Sequence, residues 1–124
     1  MFKRGDTFLM GPIDEYHLHV VVADPNSSGE LVIAPITTLR PRTPDRLLIL
    51  QPGDHPFVKH ASAIACNFAQ ITTVSKLEEL LASGRILPRE AMEQSLVGRI
   101  TAALIESDFT ENGVKFFLKE GSRP

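Results

Sequence analysis

The stretch HLHVVVADPNSSGELVIAPITT, residues 17–38, has the pattern of a β-hairpin. Its first part contains three consecutive valines, and a β-branched run of this kind favours a strand whose second half is buried on both faces. PNSSG, residues 25–29, has the composition of a turn. ELVIAPITT, residues 30–38, is therefore predicted as the returning strand of a hairpin. Pro35 cannot donate to a neighbouring strand, so its position predicts an edge or a bulge.

Additional strands are predicted on both sides of this hairpin. Residues 7–10 and LLILQ, residues 47–51, are short apolar runs bounded by glycine and proline. Residues 62–71 are small and apolar enough to run buried through a core. Residues 62–74 are predicted to form one long strand or two strands joined by a bend. These segments lie too close together for the crossovers of a parallel sheet, so we expect antiparallel pairing.

A first helix is predicted after the strands. Ser75 is expected to cap KLEELLASG, residues 76–84. Glu78 follows the cap by three residues and completes a capping box, and Gly84 is typical of a helix end.

A second, longer helix is predicted in REAMEQSLVGRITAALIES, residues 89–107, where apolar residues recur at helical spacing. Pro88 is expected at its first position. The tail, residues 108–124, contains VKFFL, which is compatible with a short helix or a strand. Short strands followed by helices predict a mainly β protein with C-terminal helices, built as a small antiparallel barrel with the helices packed on it.

Size and charge limit the function classes. A chain of 124 residues predicts a single domain, residues 1–124. The net charge of −2 gives no general attraction to nucleic acid or anionic lipid, so such binding needs a local patch. Cys66 is the only cysteine, which excludes an intrachain disulfide or a cysteine zinc cage. The N-terminus does not resemble a signal peptide and no segment has the length of a membrane span, so we expect a cytoplasmic protein.

His17 and His19 form an H-x-H pair on the predicted second strand. Residues two apart on a strand point to the same face, which is a minimal arrangement for metal ligands, and His55 or His60 could add a third donor. The alternative is that these histidines lie at the surface or bind backbone groups. The sequence favours that alternative, and we predict no metal and no cofactor.

Thr37 and Thr38 end the predicted third strand, immediately before a basic loop. That loop, LRPRTPDR, residues 39–46, has a local charge of +2 from three arginines and one aspartate. Hydroxyls beside cations could hold a phosphate oxygen, and this charge is enough for a few contacts with a nucleic-acid backbone. Threonine is also common in strands and basic loops are often only solvated, so both interpretations stay open.

The loop GDHPFVKH, residues 53–60, contains the richest acid–base chemistry of the chain. Its histidines can take and give protons near neutral pH. Lys59 could stabilise the negative charge that develops on a phosphorane. The structural alternative is a tight turn in which Asp54 caps and Pro56 fixes the bend.

Five segments, in order, carry a family resemblance. They are GDTFLM, HLHVVVADP, APITT, AQITTVSKLEELL and GRILPREAMEQSLVGRI, and together they cover most of residues 5–105. In this order they resemble the PemK/MazF family of toxins from toxin–antitoxin systems. The resemblance implies an SH3-like barrel, a homodimer, an antitoxin protein as partner, and metal-independent cleavage of single-stranded RNA through attack of the 2′-hydroxyl on the adjacent phosphate.

The resemblance also implies roles for particular residues. Thr37 falls on the position of the family's catalytic hydroxyl, and Thr38 follows it. His17 stands where the family has an arginine before the apolar strand. A histidine can act as a general base there, but it cannot give the permanently charged, bidentate phosphate grip of an arginine.

These observations predict a toxin-like RNA-binding protein that could act as an endoribonuclease. The predicted catalytic residues are His17, Thr37, Lys59 and His60. The predicted RNA-binding residues are Thr38, Arg40, Arg42, Arg46 and His55. The alternative is a catalytically inactive barrel that serves as a protein- or nucleic-acid-binding module.

Overall fold

The structure is a computed structural model that describes residues 2–12 and 15–121. These residues form seven strands, one 3₁₀ turn and three α-helices. In chain order the elements are β1 (Thr7–Met10), β2 (His17–Val21), β3 (Glu30–Thr38), β4 (Ile49–Leu50), β5 (Ser62–Ile64), the 3₁₀ turn (Cys66–Phe68), β6 (Gln70–Thr73), α1 (Val74–Ala82), β7 (Ile86–Arg89), α2 (Gln94–Glu106) and α3 (Asn112–Gly121).

All strand pairs in the described part of the chain are antiparallel, as predicted. The strands follow the order β4-β5-β3-β2-β1-β7, and β6 pairs with β3 beside β5. The prediction of a mainly β protein with C-terminal helices is confirmed. The described strands form an open path with β4 and β7 at its ends, so closure into an SH3-like barrel stays a prediction.

The predicted hairpin is formed by β2 and β3, but Pro35 does not lie on an edge. β3 is central, since it pairs with β2 on one side and with β6 and β5 on the other. The Pro35 carbonyl accepts a hydrogen bond from the Ala65 N–H at 2.9 Å. In a strand the N–H and C=O of one residue point to the same side. The N–H that Pro35 lacks would therefore point to the place where the strand paired with β3 changes from β6 to β5. A break in the pairing, and not a free edge, accommodates the proline.

The sheet has an apolar core on each face, because alternate residues of a strand point to opposite faces. Val20 belongs to one core, which includes Ile100 of α2 and Leu118 of α3. Val21 belongs to the other core, together with Leu77 of α1. The prediction that the valine run is buried on both faces is confirmed.

The first helix begins earlier than predicted. The Thr73 hydroxyl accepts a hydrogen bond from the Lys76 N–H at 3.0 Å, so Thr73 is the N-cap of α1 and Ser75 lies within the helix. Both residues can cap a helix, and the sequence favoured Ser75 because of the Glu78 spacing. Pairing of β6 with β3 ends at Thr73, so the chain leaves the strand at that threonine and turns into the helix there.

The predicted start of the second helix at Pro88 is wrong. Pro88 lies in β7 and is paired with Phe8 of β1, and the helix begins at Gln94. β7 ends the sheet, and an edge strand tolerates a residue without an N–H. VKFFL, undecided from sequence, lies in α3. No helix among the described residues is long and apolar enough to cross a lipid bilayer.

The predicted strands at 47–51 and 62–74 are shorter than expected. Residues 49–50 alone pair as β4, and 62–74 forms two short strands separated by the 3₁₀ turn at Cys66–Phe68. The alternative of two strands joined by a bend is therefore confirmed. Asn67 and Phe68 in the turn are exposed, so the prediction of a buried run through residues 62–71 is wrong.

Candidate functional site

A groove of about 650 Å³ lies beside the ends of β2 and β3. His17 and His19, which line it from β2, lie on the same sheet face as Val21, the face that α1 covers elsewhere. Its walls bring together five residues predicted to act on RNA. These are His17, Thr37, Thr38, Arg40 and Arg42.

The pairing of β2 with β3 places His17 near Thr37. Leu18 pairs with Ile36, and His19 pairs with Pro35. Extending this register by one residue puts His17 opposite Thr37, on the face that carries His19. Side chains directly opposite on neighbouring strands have Cβ atoms about 4.5–5.5 Å apart. The sheet therefore holds an imidazole and a hydroxyl side by side at the groove.

His19 also lines the groove, and its orientation is fixed by two contacts. Its ring stacks on Phe8, with centroids 5.5 Å apart and planes 5° from parallel. Its Nδ1 lies 3.0 Å from the His17 carbonyl oxygen. A carbonyl only accepts, so Nδ1 carries the proton and donates, and Nε2 in the neutral ring keeps a free lone pair.

The pKa of His19 lies below its usual value of 6.5, mainly because the ring is buried and also because positive charge on His17 opposes its protonation. The hydrogen bond to the His17 carbonyl partly offsets this effect. Sequence reasoning assigned His19 only to the metal hypothesis. The two-residue spacing from His17 was the signal that both histidines share the groove.

The basic loop is held in a defined turn next to the groove. The Arg40 N–H donates to the Thr43 hydroxyl at 2.8 Å, and the Thr43 N–H donates to the Arg40 carbonyl at 3.0 Å. Arg46 donates through Nη2 to the same carbonyl at 2.7 Å. Arg46 does not line the groove, so it supports the loop from outside while Arg40 and Arg42 line the groove.

Asp45 of this loop and Cys66 also line the groove. Asp45 accepts hydrogen bonds from the Ser107 hydroxyl and from the Leu47 N–H. Burial alone would raise the pKa of Asp45, but the hydrogen bonds from Ser107, Leu47 and Cys66 together lower it. Burial raises the pKa of the Cys66 thiol to about 11, and the Asp45 charge adds to that effect. At neutral pH the groove therefore holds one carboxylate, an uncharged thiol and two guanidinium groups.

The loop of residues 53–60 has a structural role at His55. The ring is 2% exposed. Its Nδ1 accepts from the Phe57 N–H at 3.0 Å, so Nε2 carries the hydrogen and donates to the Glu90 carbonyl at 2.6 Å. The Thr7 hydroxyl donates to that carbonyl at 2.7 Å. His55 thus ties the loop to the sheet, and its buried ring offers no surface to a nucleic acid.

The other titratable side chains of this loop do not line the groove. Lys59 and His60 are exposed, and neither lines the groove with His17 and Thr37. Asp54 accepts a hydrogen bond from the Gln51 N–H at 2.8 Å. This is the contact expected if the loop is a tight turn capped by Asp54. Of the four predicted catalytic residues, His17 and Thr37 line the groove, and Lys59 and His60 do not.

The metal hypothesis lacks a third donor. His17 and His19 meet at the groove, whereas His55 is enclosed elsewhere and His60 lies outside it. Among residues 2–12 and 15–121, no three histidine, cysteine, aspartate or glutamate side chains are grouped so that they could hold a metal ion.

Sequence reasoning missed one wall of the groove. Asn67, Phe68 and Gln70 line it from the 3₁₀ turn and the start of β6. The sequence signal was a large aromatic residue beside an asparagine in an otherwise small, apolar run.

Comparison with known proteins found no family model, no curated protein and no solved structure that matches this chain. The PemK/MazF resemblance, with its homodimer and antitoxin, stays a prediction. Function is therefore inferred from the groove itself.

Proposed function

We propose that this protein binds single-stranded RNA in the groove and cleaves it as a toxin-like, metal-independent endoribonuclease. One observation carries the proposal: a single groove is lined by two histidines, the two strand-end threonines and two arginines. These are the groups that phosphodiester cleavage needs for proton transfer, positioning and charge stabilisation.

The arginines supply the attraction to phosphate that the whole chain lacks. Arg40 and Arg42 are exposed at the groove, and guanidinium groups bind phosphate oxygens through paired N–H donors. Asp45 is the opposing charge, and its carboxylate already accepts hydrogen bonds from the Ser107 hydroxyl and the Leu47 N–H. The groove is thus locally basic in a protein whose net charge is −2.

The two histidines divide the proton transfers. His19 presents the lone pair of Nε2, which takes the proton of the RNA 2′-hydroxyl. The 2′-oxygen then forms a bond to phosphorus, and the bond from phosphorus to the 5′-oxygen breaks. His17 gives a proton to that leaving oxygen, so the products are a 2′,3′-cyclic phosphate and a 5′-hydroxyl. Burial, together with positive charge on His17, lowers the pKa of His19, which favours a neutral His19 ring that can accept the proton.

The threonines hold the scissile phosphate between these rings. Thr37 stands across from His17, and its hydroxyl can donate to a non-bridging phosphate oxygen. Thr38 continues the strand towards Arg40, so donors follow one another along the groove. The arrangement supports positioning by short, rigid strand residues.

A binding module without turnover is the second candidate. It is favoured by the positions of Arg40 and Arg42, which project from a loop and not from the strands that carry the histidines. Such a module would use the same groove and the same arginines, so binding and cleavage must be measured separately.

The test uses end-labelled single-stranded RNA with purified protein in EDTA. We expect cleavage to products that end in a cyclic phosphate. His17→Gln and His19→Gln should each lose about 10²–10⁴-fold in rate, the usual contribution of acid–base catalysis, while they still bind an uncleavable 2′-O-methyl RNA. His60→Gln is the matched control and should cleave normally. Binding without cleavage by the unmodified protein would establish the module, and no binding would refute both candidates.

The salt dependence of binding tests the arginines. Arg42→Ala should weaken binding to every RNA sequence and reduce the slope of log affinity against log salt by about 0.7. Arg85→Ala removes an exposed arginine that does not line the groove and should change neither. Equal effects of the two substitutions would show that RNA binds elsewhere.

A further inference from the structure

Phe68 is displayed on the wall of the groove without a role in either core. Its side chain is 67% exposed, and it belongs to neither apolar cluster of the described residues. An exposed large aromatic ring keeps apolar surface in water, which folding alone does not favour. Several large apolar side chains of the described residues are exposed, but Phe68 also lines the groove, where its ring is available to a ligand.

The ring stands on a rigid support. The Phe68 N–H donates to the Ala65 carbonyl at 2.9 Å, and the Ala69 N–H donates to the Cys66 carbonyl at 3.2 Å. Cys66 and Ala69, on either side of the exposed residues, are buried in the core. A ligand that stacks on Phe68 therefore does not have to order a loop first, and preorganisation of this kind favours affinity.

Two side-chain amides flank the ring. Asn67 and Gln70 are exposed and line the same groove. Neither amide has a hydrogen-bond partner among the described residues. Each amide offers both donors and an acceptor, the pattern that matches the edge of a nucleobase.

We propose that Phe68 stacks on one unpaired base of a single-stranded nucleic acid and that Asn67 and Gln70 hydrogen-bond to the edge of that base. The bases of a duplex are stacked on each other and cannot cover the ring, whereas unpaired bases can. Arg40 and Arg42 hold the backbone at the same groove. This end of the groove then selects which base lies next to the phosphate held by Thr37. The inference rests on the proposed function for its ligand class, but it does not require cleavage.

The test measures binding of fluorescent 2′-O-methyl oligonucleotides, which cannot be cleaved, by fluorescence anisotropy. Four single-base homopolymers are compared with a duplex. Loss of base–aromatic stacking should make Phe68→Ala about 5- to 150-fold weaker in binding, and Phe68→Trp should bind as tightly as the unmodified protein. Phe116→Ala is the matched control, because Phe116 on α3 is equally exposed at 67% and does not line this groove.

Base selection is measured with Asn67→Ala and Gln70→Ala. We expect the ranking of the four homopolymers to change while binding to at least one of them persists. All these side chains are exposed, so the variants should melt at the temperature of the unmodified protein.

The outcomes separate the two proposals. If Phe68→Ala and Phe116→Ala bind equally well, or the duplex competes as well as the single strand, the stacking site is refuted while RNA cleavage can still be observed. If the unmodified protein binds none of the oligonucleotides, the stacking site and the proposed function are overturned together.

Discussion

His19 stacks on Phe8 across the β1–β2 pair, with ring centroids 5.5 Å apart and planes 5° from parallel. Because this stack and the bond to the His17 carbonyl fix the ring, its tautomer is set before any ligand arrives. The neutral ring keeps Nε2 unprotonated. A neutral histidine held in this way has the properties of a general base, and its burial has consequences for activity and stability.

The pH dependence of RNA cleavage should follow His19. Its pKa lies below 6.5 because of burial and the charge on His17, so the base stays unprotonated in mildly acid solution. We expect kcat/KM to fall on acidification with a midpoint below pH 6.5. Steady-state rates across the acid range measure this. Loss of activity with a midpoint above pH 6.5 would rule out His19 as the base.

Folding stability should also depend on this ring. The unfolded chain binds a proton at His19 more readily than the folded protein does. The contribution of His19 to the free energy of unfolding is therefore fully present above pH 6.5, and it is lost as the pH falls through the lowered pKa of His19 in the folded protein. Urea unfolding on both sides of pH 6.5 measures the slope. His19→Gln should show a shallower fall in acid, whereas His60→Gln, at an exposed position, should keep the original slope. An unchanged slope in His19→Gln would contradict the burial argument.

Cys66 should react slowly with thiol reagents. Its pKa of about 11, against a usual value of 9.0, lowers the thiolate fraction at mildly alkaline pH, and the thiolate is the reactive form. We expect native protein to react with a disulfide reagent at least about 100-fold more slowly than protein unfolded in urea, where the usual pKa returns. Equal rates would show that the thiol is neither buried nor hydrogen-bonded as described.

His55 should contribute to stability and not to RNA binding. His55→Ala removes hydrogen bonds to Glu90 and from Phe57 and leaves a buried cavity. We expect a loss of about 2–4 kcal/mol in the free energy of unfolding. Lys59→Ala, in the same loop but exposed, should change it by less than about 0.5 kcal/mol. Denaturant unfolding gives both values, and a variant of His55 with full stability would contradict the structural role.

Local residue patterns predicted much of the framework. The valine run and the PNSSG turn were sufficient for the β2–β3 hairpin, because strand propensity and turn geometry are properties of neighbouring residues. The same locality explains why His17, Thr37, Arg40 and Arg42 could be proposed together. They lie at the ends of two strands that a hairpin joins, so their convergence follows from the pairing.

Positions that depend on distant partners were misjudged. Pro88 is suited to a helix start by its own geometry, but pairing with Phe8 of β1 places it in a strand. His55 has the chemistry of a catalytic residue, but its ring lies against Thr7 and Glu90. Phe68 was expected to be buried because its neighbours are apolar.

Patterns among neighbouring residues predict the antiparallel, mainly β class and the histidines, threonines and arginines that could transfer protons or bind phosphate. Folding brings His19 to the same groove as His17, makes Phe68 part of the groove wall and buries His55 in the interior. This difference arises because strand and turn preferences act between near neighbours, whereas the burial and the pKa of each group depend on residues brought close only by folding.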